Sequence, residues 1–259
     1  MQSLGFLYTL SGFCVGALVG MTGVGGGSLM TPLLILIFGI HPAAAVGTDL
    51  LYAAATKACG TVVHGLNDTV DWHLVRRLAS GSVPASAVTL LFLSHYDLAS
   101  RPMQHFFSVA LGTALVVTAL AVIFRPRIAA WFARRVGEPR PAVAAVLTVA
   151  TGVVLGVLVS ITSVGAGALG VSALVLLYPR LPTARIVGSD IAHAVPLTLV
   201  AGMGHLLLST INVSILGALL LGSLPGIFVG SRLAIRAPDA VLRLALSGVL
   251  VVVGGRLML

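Results

Sequence analysis

The chain has 259 residues, of which 58% are apolar and only 8% charged, where a soluble domain carries roughly 25% charged residues. That balance excludes a water-soluble core and leaves an all-α polytopic membrane protein. The formal net charge of +8 does not point to nucleic acid, because the arginines fall in short segments between apolar runs and no basic face or aromatic platform accompanies them.

The first apolar stretch covers residues 4–40 and has no Lys or Arg ahead of it, so it lacks a secretory leader and is expected to belong to the mature fold. As one helix, about 35 residues would reach ~50 Å, far beyond a ~30 Å hydrocarbon core. Its middle carries Gly23, Gly25, Gly26 and Gly27, and each glycine costs a helix interior about 1 kcal/mol relative to Ala. The stretch therefore reads as a hairpin of two shorter helices, broken over 23–27. Single crossings follow at 43–66, 74–93 and 103–124, closing a first repeat over 1–124. A linker over 125–141 is rich in Arg and Pro, with Trp131 and Phe132 as interfacial anchors.

The second half, 142–259, runs the same way. An over-long stretch at 142–178 is broken over 163–167, and crossings follow at 183–208, 213–234 and 240–257. Cys14 and Cys59 fall inside apolar segments, form no CxxC motif and read as small core residues.

The halves repeat each other at nearly constant spacing. Gly12 aligns with Gly152, Gly16 with Gly156, Thr22 with Thr162, Gly25 with Gly165 and Gly27 with Gly167. After one inserted residue, Asp49 meets Asp190, His64 meets His205, and Gly81-Ser82 meets Gly222-Ser223. The most basic segment, 125–140, is expected to be cytoplasmic. Counting crossings back from it places Arg101 outside and Arg76 and Arg77 inside, and counting forward places Arg180, Arg185, Arg232, Arg236 and Arg243 inside only if the second glycine-broken stretch enters and leaves on one side. Three crossings plus one re-entrant hairpin make an odd count, so the second repeat is expected upside down relative to the first.

A helix starting at Ser28, or just after Gly167, presents unpaired N–H groups and a partial positive charge. Two such ends facing each other suit an anion with several oxygens. The expected substrate residues are Thr22, Gly23, Gly25, Gly26, Gly27, Ser28, Lys57, Thr162, Ser163, Gly165 and Gly167, with Thr31 as a further hydroxyl. Lys57 stands alone in its crossing, opposite Thr198, and needs either Asp49 or a bound anion as partner. Thr48-Asp49 and Ser189-Asp190 lie at membrane depth, and read equally as coupling groups or as caps that position the glycine turns. His193, His64 and His205 read either as hydrogen-bonded helix residues or as proton carriers. There is no HExxH, no Cys/His metal spacing, no GxSxG nucleophile and no cofactor motif.

The run GALVGMTGVGGGSLMTPLLILIFGIHPAAAVGTDL, repeated more loosely as GVLVSITSVGAGALGVSALVLLYPRLPTARIVGSD, resembles the sulfite exporter TauE/SafE family of bacterial membrane permeases. The second copy departs from the family pattern in having Ser163 and Ala166 where glycine is more usual. The resemblance implies a multi-pass protein of the bacterial inner membrane. It also implies export of a small inorganic or organic sulfur-containing anion, such as sulfite or an organosulfonate, and it leaves room for a homodimer. A passive anion channel on the same hairpins is an alternative, as is an intramembrane enzyme using Asp49 and Asp190.

Overall fold

A computed structural model describes residues 2–22, 27–135, 140–208, 211, 213–234 and 239–258. These residues form ten helices and no strand: α1 Gln2–Thr22, α2 Gly27–Leu36, α3 Pro42–Leu66, α4 Trp72–Leu93, α5 Arg101–Arg135, α6 Pro141–Thr162, α7 Ala168–Leu177, α8 Thr183–Leu207, α9 Val213–Ala234 and α10 Asp239–Met258. Four of them contain spans long and apolar enough to cross a bilayer: Arg101–Arg125, Pro141–Thr162, Thr183–Leu207 and Val213–Gly230. The chain is a polytopic helical membrane protein.

Both over-long stretches are divided where the glycines fall. α1 stops at Thr22 and α2 begins at Gly27; α6 stops at Thr162 and α7 begins at Ala168. The second break is made by backbone that glycine accepts cheaply. Ser163 is left-handed at φ 59°, while Gly165 and Gly167 sit at φ 124° and 125°. After the break α7 runs back along α6, since the hydroxyl of Tyr178, just past α7, lies 2.8 Å from that of Thr148. The first hairpin closes at equivalent positions, with Tyr8 of α1 against Phe38 beyond α2 at 4.4 Å between ring centroids, the rings tilted by 37°.

Each hairpin packs mainly on the other half of the chain. Gly12 and Gly16 of α1 lie against the backbone of Leu219 and Ser223 on α9. Gly152 and Gly156 of α6 lie against Leu78 and Ser82 on α4, the equivalent positions. Small residues let such backbones touch, which is how membrane helices gain packing when lipid is as apolar as their side chains.

Equivalent helices of the two halves run antiparallel. On α3 and α8, Leu51 meets Gly202, Gly60 meets Ile191 and His64 meets Gly188. On α5 and α10, Gly112 lies beside Met258 while Leu115 lies beside Gly254.

Two details differ from the sequence reading. α5 does not stop at Phe124 but continues to Arg135, because the arginine-rich segment has good helix formers and no break signal apart from Pro126. Cys14 and Cys59 are exposed rather than packed in the core. They occupy outward faces of α1 and α3, where an apolar side chain meets lipid at no cost.

Candidate functional site

Asp49 lies two turns into α3 and is fully buried. Its Oδ2 accepts hydrogen bonds from Thr31 Oγ1 on α2 at 2.5 Å and from Ser163 Oγ at 2.9 Å. One carboxylate thus ties the first turns of α2 to the break between α6 and α7. Leu29 of α2 also packs in the same apolar cluster as Val164 of that break. Both starting ends of the short helices are therefore gathered around α3.

Lys57, two turns further along α3, is 8% exposed. Its Nζ donates to the carbonyl of Ala166 at 2.8 Å. The carboxylates of Asp190 and Asp49 are the charges that act on it. The sequence offered Asp49 or a bound anion as its partner; the nearest acceptor is instead a carbonyl of the second turn, freed because 163–167 is not helical.

Asp190, the counterpart of Asp49, is also fully buried. Its Oδ1 lies where a side chain at Gly170 would stand. The N–H of Gly167, the residue just before α7, faces it without closing to a hydrogen bond of normal geometry. The two aspartates differ for a reason written in the repeat. Val171 stands where Thr31 stands in the first half, and Gly23 stands where Ser163 stands in the second. Asp190 therefore lacks both hydroxyl donors that hold Asp49.

The remaining polar residues form cross-repeat pairs one turn beyond each aspartate. Tyr52 shares a hydrogen bond of 2.6 Å with Ser223, and His193 Nε2 shares one of 2.8 Å with Ser82. These are equivalent positions, with Tyr in one half and His in the other. Sequence reasoning marked His193 but missed Tyr52, Ser82 and Ser223. The repeated Gly-Ser steps at 81–82 and 222–223 were the available signal.

Other expected site residues sit apart. Thr48 donates to Ala44 O of its own helix. Ser189 accepts from the backbone N–H of Asp71 at 2.8 Å and donates to Arg185 O, so it fastens the α3–α4 loop. His64 pairs with Thr69 at the end of α3, and His205 Nε2 meets Ser160 O at 2.9 Å. Thr162 returns its hydroxyl to Leu158 O and accepts the N–H of Val164, which shapes the turn. Ser28 is buried in the first turn of α2. Thr22 and Gly27 end α1 and begin α2, whereas Gly23, Gly25 and Gly26 lie outside the described residues.

Surface cavities group the loops. Asp71, Arg77, Tyr178 and Arg180 line one of about 230 Å³, and His41, Ser94, Tyr96, Asp97 and Leu208 line another of about 410 Å³. The α3–α4 loop and the α7–α8 corner thus share one end of the molecule. The α2–α3 corner, the α4–α5 loop and the end of α8 share another. Among the described residues no group of three or more His, Cys, Asp or Glu is placed to hold a metal ion.

Over 254 residues the chain is 36% identical to the "Probable membrane transporter protein YjnA" of Bacillus subtilis (strain 168), covering 96% of this chain and 97% of that protein. Shorter similarities reach "Probable membrane transporter protein YunE" of the same organism, 37% identical over 27% of this chain and 26% of that protein, and a "Probable membrane transporter protein" of Xylella fastidiosa (strain 9a5c), 26% identical over 42% of this chain and 41% of that protein. No solved structure matches. The pattern described as Sulfite exporter TauE/SafE matches residues 8–257, and the chain belongs to that family.

Proposed function

We propose that this membrane transporter carries a small oxyanion, sulfite or an organosulfonate, out of a bacterial cell without converting it chemically. The anion binds between the N-terminal ends of α2 and α7, near the bilayer midplane. The single observation that carries this reading is the double hydrogen bond of Asp49, which gathers both helix starts around one carboxylate. The positive ends of helix dipoles favour a negative guest. Lys57, whose ammonium reaches the same turn, adds a full positive charge.

The chain works as two inverted repeats, 1–124 and 142–259, joined by the basic segment 125–141 on the cytoplasmic side. Support comes from the antiparallel course of α3 against α8 and from the return of α7 along α6. The two groups of loops agree with it: Arg77 and Arg180 share one cavity, His41 and Asp97 the other. Transport then consists of rocking one repeat against the other around the shared site. Full burial of Asp49 and Asp190 favours a carrier over an open pore.

The test is exchange of labelled sulfite and sulfoacetate in proteoliposomes. Lys57→Met removes the charge and keeps the length, and is expected to lower exchange at least ~10-fold, equivalent to about 1.4 kcal/mol of anion stabilisation. Unchanged exchange in a folded Lys57→Met protein would remove the proposed anion site.

A further inference from the structure

The duplicated aspartates are not equivalent, and we infer that Asp190 is the proton-carrying group of the transport cycle, whereas Asp49 is a fixed brace. This deepens the anion-carrier reading and rests on it.

The two carboxylates are equally buried, so the difference is in their partners. Asp49 is held by two hydroxyls from two different elements. Asp190 has neither oxygen hydrogen-bonded, and both are buried. A carboxylate in that position is costly unless it is neutralised or finds a counter-charge. The charge that acts on it from α3 is that of Lys57, whose Nζ is held on the Ala166 carbonyl and is acted on by Asp49 as well. On its own helix the neighbour is His193, one turn on, whose Nδ1 is buried without a hydrogen bond while Nε2 is fixed on Ser82. α6 and α7 carry no ionisable side chain. On α4 the ionisable groups are His73, Arg76 and Arg77, all near its start.

The consequence is a competition for Lys57. An ionised Asp190 uses the positive charge that the substrate anion needs. A proton on Asp190 yields a neutral carboxylic acid and releases Lys57 to the anion. Proton and anion therefore bind in mutual support, by the reciprocity that any two linked ligands obey. The anion then crosses together with one proton: with bisulfite the complex carries no net charge over the anion-free carrier, and with the dianion sulfoacetate it carries one negative charge. A proton on Asp49 would sit on Oδ1, the oxygen without a partner, and would weaken Oδ2 as the acceptor that both hairpins use.

Infrared pH-difference spectra of purified protein in detergent test the assignment without any substrate. Wild type is expected to show a protonated-carboxyl band that disappears in Asp190→Asn, shifts in Asp190→Glu and persists in Asp49→Asn. Should Asp190→Asn fail to fold, the shift in Asp190→Glu decides. No carboxyl band in wild type, a band kept in Asp190→Asn, no shift in Asp190→Glu, or loss in Asp49→Asn alone would each overturn the proposal. Proteoliposomes containing a pH dye provide the second arm, with potassium sulfoacetate and potassium sulfite as probes. Wild type should move protons with the anion and be indifferent to sodium. Anion movement without protons, or driven by sodium, would overturn the coupling and leave the anion carrier standing. If neither probe is carried, the substrate reading falls and the infrared spectra still decide Asp190.

Discussion

At the scale of single residues, the costly ones were readable in advance and their partners were not. Asp49, Asp190 and Lys57 stand out in sequence because an ionisable group in an apolar run demands compensation. What compensates them comes from distant elements: Thr31 from α2, Ser163 and Ala166 from the second break. No local pattern encodes a contact between residues so far apart in the chain. The pairing of Asp49 with Thr31 makes a definite expectation. Thr31→Val keeps the shape and removes the donor, so a buried carboxylate loses one of its two hydroxyl partners, at a cost of about 1–3 kcal/mol. Thermal melting in detergent should show the loss, and Thr31→Ser should restore most of it. Equal melting of the Val and wild-type proteins would mean that the Thr31 bond contributes nothing to stability.

Helices were legible almost to the residue where glycine and proline punctuate them, because these residues act on the local backbone whatever the surroundings. The break at 163–167 and the starts of α3 at Pro42 and of α8 just after Pro182 belong to this class. The end of α5 was not legible, since a basic stretch of good helix formers can be a linker or a helix with equal propensity. Which glycines serve packing was also hidden, and α9 illustrates the point. A side chain at Gly222 would run into the backbone of Thr9 and Phe13 on α1, while at Gly217 nothing lies nearby. Gly222→Ala is therefore expected to push α9 from α1 and destabilise by about 1–3 kcal/mol. Gly217→Ala, one turn and a half away on the same helix, should be neutral or stabilising by up to about 1 kcal/mol, because Ala is the better helix former. Melting curves of the two variants should move apart; a shared shift would show that intrinsic propensity, and not the α1–α9 contact, governs this helix.

For the whole molecule, the repeated pattern was legible in sequence, but the docking of each half's first helix on the other half was not. α1 docks on α9 and α6 on α4, so neither repeat closes its own core, and the two must form together. That interlocking explains why equivalent glycines recur in both halves: each face must accept the backbone of a helix from the other repeat. It also couples sidedness to fold, because turning one repeat over would separate every such contact. In a background where Cys14 and Cys59 are replaced by Ala, single cysteines can read this directly. Asp68→Cys on the α3–α4 loop and Ile211→Cys on the α8–α9 loop occupy corresponding places in the two halves. Inverted repeats put these on opposite membrane faces. An impermeant maleimide added to intact cells should label Ile211→Cys and Asp97→Cys, and should reach Asp68→Cys and Arg180→Cys only after permeabilisation. The arginine bias sets which face is inside, so labelling of all four positions reversed would correct the orientation while preserving the inversion. Labelling of Asp68→Cys and Ile211→Cys from the same face would instead require the second long apolar stretch, 142–178, to cross once. The hydrogen bond between Thr148 and Tyr178, which brings α7 back to the start of α6, could not then coexist with a membrane-spanning hairpin.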